Sequence, residues 1–523
     1  MADLMVHRDG GRGRRMAMAG NAKDDSVGRA LTLSTCKQEY LAGEGSMRRT
    51  MIDMKPIFIL TALLVTGVTG AARAQAPIDW KAVEVETLQH FQALVRIDTS
   101  NPPGNETRAV EYLKQVLDRE GIPYQVFAGD ANRANLVARI KGNGKKKPIL
   151  VMGHTDVVTI DPKKWIDHGP FSADIADGYV YGRGTVDDKD NLVASLMLVL
   201  TLKRTNAALD RDVIFLAESG EEGSPDVGAQ FMIDQHFDAI DAEYCLAEGG
   251  GIGRTAGKYT RANISTTEKE PRAVEIIAHG PAGHGSVPRK ANVVAHLSNA
   301  VARIVDWTPQ MRINETTGSY FRKLAASAPP EAAKRYRDVL NPDPKVSKPA
   351  ADWMLENEPE HWSMLHTSAV PTILTAGYRY NVIPSEAKAT LDVRLHPDED
   401  QSKFLDQIRA VIHDPSIEVR WARERYRPAG ASRLNTELFA AIEAETKKLY
   451  NVDVLPTMST GASDKAQIRS KGVQCYGIGP ALDTEDGAKG FGAHSDQERI
   501  LEVELHRFVR FQYDLVMDVA RAK

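Results

Sequence analysis

"DVIFLAESGEEG", residues 212–223, opens on a run of β-branched, aromatic and aliphatic side chains and closes on serine, glycine and two adjacent glutamates. A short apolar run bounded by turn residues is the pattern of a buried strand. Three more runs share it: "NLVARIKG" (135–142), "KPILVMGH" (147–154) and "AEYCLAEG" (242–249). Around them, "VEVETLQHFQALVRI" (83–97) and "TRAVEYLKQVLDRE" (107–120) repeat their apolar residues at helical spacing. Strands alternating with helices predict an α/β layered fold, and in such sheets chemistry gathers beyond the carboxyl ends of the strands. Three of these runs end at or near residues able to do chemistry: His154, the pair Glu221 and Glu222, and Glu248.

Working outward, the order of elements changes after residue 269. A strand (273–280), a helix (291–306), a long polar helical insertion, two strands (370–379 and 385–395), a helix (401–413) and a strand (416–421) follow. Without the insertion this is βαββαβ, the ferredoxin-like plan. From 424 the α/β pattern resumes with a helix at 436–450, a strand at 473–478 and a closing helix after Leu501. The expected organisation is therefore a first catalytic part (77–268), an inserted lid or dimerisation domain (269–423, with the insertion near 307–368) and a second catalytic part (424–523).

The amino-terminal 76 residues read differently. Residues 1–46 lack periodicity and are taken as a non-structural leader or a mis-annotated start. From Met47 there is a basic start (Arg48, Arg49, Lys55), an apolar run from Pro56 to Ala72, and small-residue sites that allow cleavage after Ala74 or Ala76. That is the plan of a secretory signal peptide, and a run of about 15 apolar residues is short of the roughly 20 that span a bilayer. The expectation is a secreted, periplasmic protein with no membrane span after cleavage. The whole chain has 523 residues, too many for one core, and 66 Lys+Arg against 70 Asp+Glu. A mildly acidic chain has no electrostatic footprint for nucleic acid. Of three cysteines, Cys245 and Cys475 lie in strand-like runs and are expected as buried free thiols.

"GHTDVV" places His154 and Asp156 two residues apart, so an extended backbone turns both to one face. A carboxylate beside an imidazole fixes the tautomer that leaves the other ring nitrogen free for a metal. Asp187 and Asp188 stand in a glycine-rich turn before a helix starting near Lys189, where capping accounts for one of them. With Glu221, Glu222, Glu248 and His494, the chain offers two imidazoles and several carboxylates from separate strand ends and loops. That mixed nitrogen and oxygen set suits Zn²⁺, with Mn²⁺ or Co²⁺ as substitutes. Gly251-x-Gly253-x-x-Ala256 nominally matches a dinucleotide fingerprint, but a strand-like segment follows where the helix should begin. No G-x-S-x-G elbow supports a serine hydrolase.

In order along the chain, "GHTDVV", "DGYVYGRGTVDDKDN", "ESGEEG", "AEGG", "GPAGHGSVP", "NVIPSEAKATLDVRL", "STGASD" and "GAHSD" resemble the co-catalytic zinc metallopeptidases. That family includes aminoacylase, carboxypeptidase G, carboxypeptidase S and succinyl-diaminopimelate desuccinylase. The resemblance implies two zinc ions per chain, bridged by Asp187, with His154 and Glu248 completing one position and Glu222 and His494 the other. It implies Asp156 as the residue orienting His154, Glu221 as the general base, and His284 as the stabiliser of the developing oxyanion, often supplied by the partner of a homodimer. Asn381, Arg394 and the Gly461-Ala462-Ser463 loop would face the substrate. The fold implied is a zinc-exopeptidase-like α/β domain, a mixed sheet flanked by helices, carrying the ferredoxin-like lid.

Cleavage of an amide next to a free carboxylate, by a carboxypeptidase or dipeptidase, is the expected activity. Deacylation of N-acyl amino acids at the same site is its alternative, and a non-catalytic binding protein on the same scaffold is the reading of a different class. The substrate expected is thus a small peptide or an N-acyl amino acid. The insertion at 307–368 is long and resembles the carboxypeptidase S branch. Because family dimers form through the inserted domain, it bears directly on dimerisation and on the source of His284.

Overall fold

The computed structural model describes residues 77–428 and 430–523; the leader and signal segments lie outside them. Its larger sheet is built first from β1 (Tyr124–Phe127), β2 (Asn135–Ile140), β3 (Ile149–His154), β4 (Val213–Glu218) and β5 (Tyr244–Ala247). Strands β3, β4 and β5 are buried along their whole length, as continuous apolar runs in the middle of a helix-covered sheet should be. They run parallel to one another, β4 and β5 on either side of β3. Their carboxyl ends therefore share one edge, which brings His154, the turn carrying Glu221 and Glu222, and Glu248 to the same side.

Helix α1 (Trp80–Val95) and helix α2 (Lys189–Arg204) pack on one face of this sheet. Helix α2 is buried from Lys189 through Thr201 and Leu202, which explains why "NLVASLMLVL" is apolar all round rather than along a stripe. The turn holding Asp187 is thereby fixed to a helix that cannot shift without opening the core. Gly153 lets this helix approach: a Cβ there would lie 2.6 Å from the Leu192 nitrogen, one residue before His154. Truncating a fully buried side chain such as Leu196 costs about 2–5 kcal/mol.

The glycine-rich segment after β5 forms strands β6 (Gly251–Thr255) and β7 (Lys258–Glu268), an antiparallel pair with no helix at the fingerprint position. The strand expected after the glycines is thus present. The chain then enters β8 (Glu270–His279) and helix α3 (Val293–Val305). Four helices make up the insertion: α4 (Glu315–Ser327), α5 (Pro330–Asp338), α6 (Pro344–Asn357) and α7 (Pro359–Leu365). Strands β9 (Ser368–Ala376) and β10 (Glu386–Leu395), helix α8 (Gln401–Ile412) and β11 (Ile417–Trp421) follow. Strands β9-β10-β8-β11 form a separate four-stranded antiparallel sheet, the order of a βαββαβ unit. Leu391, Val393, Leu297, Ile304, Phe404 and Ile408 fill the core between it and helices α3 and α8.

The chain returns through α9 (Glu437–Tyr450), β12 (Val454–Ser459), α10 (Lys465–Arg469), β13 (Gln474–Gly477), β14 (Ala481–Asp483) and the closing helix α11 (Glu502–Ala520). The completed large sheet runs β1-β2-β4-β3-β5-β13-β7-β6-β14, with β12 paired to β7. Strand β12 was not foreseen from sequence: "VDVLPTMST" carries a proline and alternates weakly. The four insertion helices build their own core from Tyr320, Phe321, Tyr336, Met354 and Leu365, and this core includes Leu455 and Met458 of β12. Lys323 adds a link by donating to Glu443 at 2.6 Å and to the Val454 carbonyl. The insertion thus packs against the larger sheet. Cys245 and Cys475 are buried, unpaired by a disulfide, and face each other across parallel strands β5 and β13. Among the described residues no helix is long and apolar enough to cross a membrane.

Candidate metal centre

His154, the last residue of β3, is buried and its main-chain N–H donates to Asp188 Oδ2 at 3.2 Å. Its ring Nδ1 lies 2.9 Å from the Asp156 main-chain carbonyl, so it is Nδ1 that carries the proton and Nε2 that is free to bind a cation. Nε2 stands 3.1 Å from Asp187 Oδ1, while the other Asp187 oxygen stands 3.0 Å from His494 Nε2. One carboxylate therefore faces both imidazoles, one oxygen to each. Glu222 Oε1 is 2.8 Å from the same His494 nitrogen, and the donor atoms of His154, Asp187 and Glu222 all lie within 4.8 Å of one another. Glu248, directly after β5, lines the same cleft as Asp187, Glu222 and His494.

Asp156 meets the His154 ring through its main-chain carbonyl and has a second task besides. Its carboxylate is 3.5 Å from His154 Nδ1, and the oxygens instead accept the Glu221 N–H (3.1 Å), the Glu222 N–H (3.1 Å) and the Asn101 side-chain amide (2.8 Å). It shapes the turn that presents the paired glutamates, and it holds His154 through its backbone. Asp188 occupies the N-cap position of α2 but makes no capping bond; its oxygens take the His154 N–H and the Asn191 amide. Capping was the wrong explanation for it.

The paired glutamates diverge. Glu222 joins His494 and Asp187, whereas Glu221 turns to Arg427, whose Nη1 donates to Glu221 Oε1 at 2.7 Å and whose Nη2 donates to the Glu221 carbonyl at 2.6 Å. Neither Arg427 nor Asn101 was singled out from sequence. One of three arginines in "RERYRPAG" carries no motif, and Asn101 precedes two prolines far from any ligand in the chain.

The electrostatics call for a cation. Burial pushes the Glu221 carboxyl well up, with Glu248 adding repulsion and Arg427 opposing it. Burial likewise raises Glu248, with buried Lys465 as the main countercharge. Hydrogen bonds to Asp187 and Glu222 lift His494 to about 10. Burial alone would depress His154, yet its bonds to Asp156 and Asp187 hold it well above the ordinary imidazole value. Acids crowded this tightly around two imidazoles are relieved by positive charge, and the mixed nitrogen and oxygen donors fit a divalent transition-metal ion.

The expected substrate residues divide. Ala462 and Arg394 line the cleft, the latter ion-paired with Asp392 at 2.8 Å. Ser463 is buried, its hydroxyl donating to Glu268 at 2.7 Å and accepting from Lys465 at 2.5 Å, while the Gly461 N–H donates to Ser459. Asn381 and His284 lie next to each other on the smaller sheet's loops, where His284 pairs in register with Val382. They are absent from the cleft lining. His284 is exposed, 2.6 Å from the Ser286 hydroxyl.

Residues 150–518 match the model of peptidase family M20/M25/M40. The chain belongs to that family. It is 26% identical to an N-fatty-acyl-amino acid synthase/hydrolase PM20D1 of Xenopus tropicalis, over 88% of this chain and 92% of the relative. A carboxypeptidase S-like protein of Dictyostelium discoideum is 27% identical over 72% of each chain. Among solved structures, the M20 metallo-carboxypeptidase Sso-CP2 of Sulfolobus solfataricus superposes with a TM-score of 0.62 at 20% identity, covering 82% of this chain and 98% of that one. This M20 protein is an enzyme, a metal-dependent hydrolase with a mixed sheet flanked by helices.

Proposed function

We propose that this enzyme hydrolyses an amide or peptide bond next to a free carboxylate, as a carboxypeptidase or dipeptidase. The observation that carries the reading is the divergence of Glu221 and Glu222: one joins the imidazole and carboxylate cluster, the other stays outside it and faces the cleft. Residues His154, Asp187 and Glu248 would hold one divalent cation and Asp187, Glu222 and His494 a second, in the first instance Zn²⁺ with Co²⁺ or Mn²⁺ as substitutes. Bound there, such cations supply Lewis acidity to the scissile carbonyl and to the attacking water. Glu221 accepts the proton of that water and returns it to the leaving amine.

The cleft is about 1240 Å³, and its walls set the charged Asp226, Asp234, Arg272, Arg423, Arg425 and Lys471 beside the apolar Ile233, Leu391 and Tyr426; the charged groups suit the polar backbone and termini of a short peptide. Deacylation of N-acyl amino acids is the second reading, favoured by the hydrolase activity for which the Xenopus tropicalis relative is named. Turnover of free dipeptides, amino-terminally blocked peptides and acyl amino acids compared side by side tests the reading. A rate confined to acyl amino acids would replace peptidase by deacylase.

We further propose a homodimer that supplies His284 and Asn381 to the partner's cleft. Among the described residues edge strand β9 has no neighbour beyond β10, and Val370, Ile373 and Leu374 on it are each more than half exposed. Unpaired, apolar edges are templates for strand pairing, and the insertion, packed on β12, does not cover this one. Export to the periplasm is proposed on the basic, apolar and small-residue pattern of 47–76.

A further inference from the structure

We propose that Arg427 holds Glu221 in an idle ion pair in the unliganded enzyme and yields it to substrates whose free carboxylate takes over the guanidinium, which makes hydrolysis conditional on that carboxylate. The inference rests on the amide-hydrolase reading above and deepens it by assigning the residue that senses the carboxylate. Arg427 clasps Glu221 at both its side chain and its carbonyl, at 2.7 and 2.6 Å, and the two side chains are 14% and 11% exposed. The carboxylate oxygen held by Nη1 shares a charge-assisted hydrogen bond and is turned to the guanidinium instead of to a water in the cleft.

Arg427 can change partners without losing its place. Its Nη2 lies 3.4 Å from Asp464, and the preceding Tyr426 is tied down by its hydroxyl donating to the Ala273 carbonyl. A substrate carboxylate is chemically the same partner as the Glu221 side chain. The exchange replaces one arginine–carboxylate pair with another and leaves Glu221 free beside the proposed metal ligands. A neutral amide or ester terminus offers the guanidinium no such exchange, so Glu221 stays engaged. Arg394, the carboxylate anchor expected from sequence, pairs with Asp392 rather than with a residue of the catalytic cluster, so it can bind substrate but cannot report binding to the base.

The test uses the metal-loaded, full-length enzyme with a dipeptide and its C-terminal amide, in wild type and Arg427→Met. Metal content is measured alongside to confirm that the site is intact. Wild type should cleave the acid and scarcely touch the amide. Arg427→Met should lose roughly tenfold or more of kcat/KM on the acid, as lost charge-assisted pairing predicts, while kcat on the amide rises above wild type. Acetate added in trans should stimulate amide hydrolysis by wild type, a result that requires no variant to fold, and should not stimulate Arg427→Met. An amide rate unchanged in Arg427→Met would show a plain anchor, and absence of acetate stimulation would likewise overturn the switch. If wild type cleaved neither acid, amide nor acyl amino acid, the activity reading itself would fall, a result distinct from either of these.

Discussion

The metal centre and the loops of the smaller sheet offer opposite pictures. At the centre, His154, Asp187, His494 and Glu222 form a chain of contacts, each within hydrogen-bonding distance of the next; His154 is fixed by a strand end, Asp187 by the turn before a buried helix and Glu222 by the turn that Asp156 holds. On the smaller sheet, His284 and Asn381 sit side by side outside the cleft, next to an apolar edge strand and to Tyr378 and Tyr380, which are 83% and 98% exposed. One region is complete within a single chain. The other holds His284 and Asn381 apart from the cleft, the arrangement that the proposed homodimer accounts for.

The largest effect should come from the complete region. Glu221→Gln is expected to lower kcat by about 10²–10⁴-fold, the range for loss of a general base, with metal content unchanged by elemental analysis. A variant with near-normal turnover would remove Glu221 from that role. His284→Ala should cost about 10²–10³-fold, the scale of one oxyanion donor. Mixing inactive Glu221→Gln and His284→Ala chains should restore activity, because a mixed dimer holds one cleft with both residues intact. No restoration would place His284 in its own chain's cleft or outside catalysis. Light scattering should find the wild type dimeric and Val370→Lys with Ile373→Lys monomeric, with activity lowered as far as in His284→Ala; a monomeric wild type would remove the proposed dimer.

A smaller effect concerns the junction between the sheets. Burial, with the Lys269 charge nearby, depresses the imidazoles of His366 and His396 from 6.5 to about 4. Between those values the unfolded chain binds protons that the folded chain refuses, so stability falls as pH drops through that window and levels off below about 4. His396→Asn should flatten part of this slope in denaturant titrations; an unchanged slope would show that His396 does not titrate there. Smallest of all, Lys323→Met, which removes a half-exposed pair with Glu443, should cost no more than about 1 kcal/mol.

How much of this was legible in the sequence follows the same division. Strands β3, β4 and β5 announce themselves because burial on both faces demands continuous apolar runs, and their parallel alignment gathers the residues that follow them. The βαββαβ order was readable because its strands alternate and its helices keep their spacing. Asp156's hold on the Glu221-Glu222 turn was not, since "HTD" does not say whether a backbone or a carboxylate meets the imidazole. Nor was the commitment of Ser463 to Glu268 and Lys465, because a motif fixes position along the chain and leaves the direction of a hydroxyl open. Arg427 was invisible for a third reason: its partner Glu221 is 206 residues away.

The central claim is that two imidazoles and three carboxylates of one chain hold a pair of divalent cations. Metal content of the purified protein, titrated against Zn²⁺ and repeated for Glu222→Ala and Glu248→Ala, tests it most directly. Two ions per wild-type chain, with one lost in each variant, is the predicted result. A chain that takes up no ion, or variants that bind as many as wild type, would contradict it.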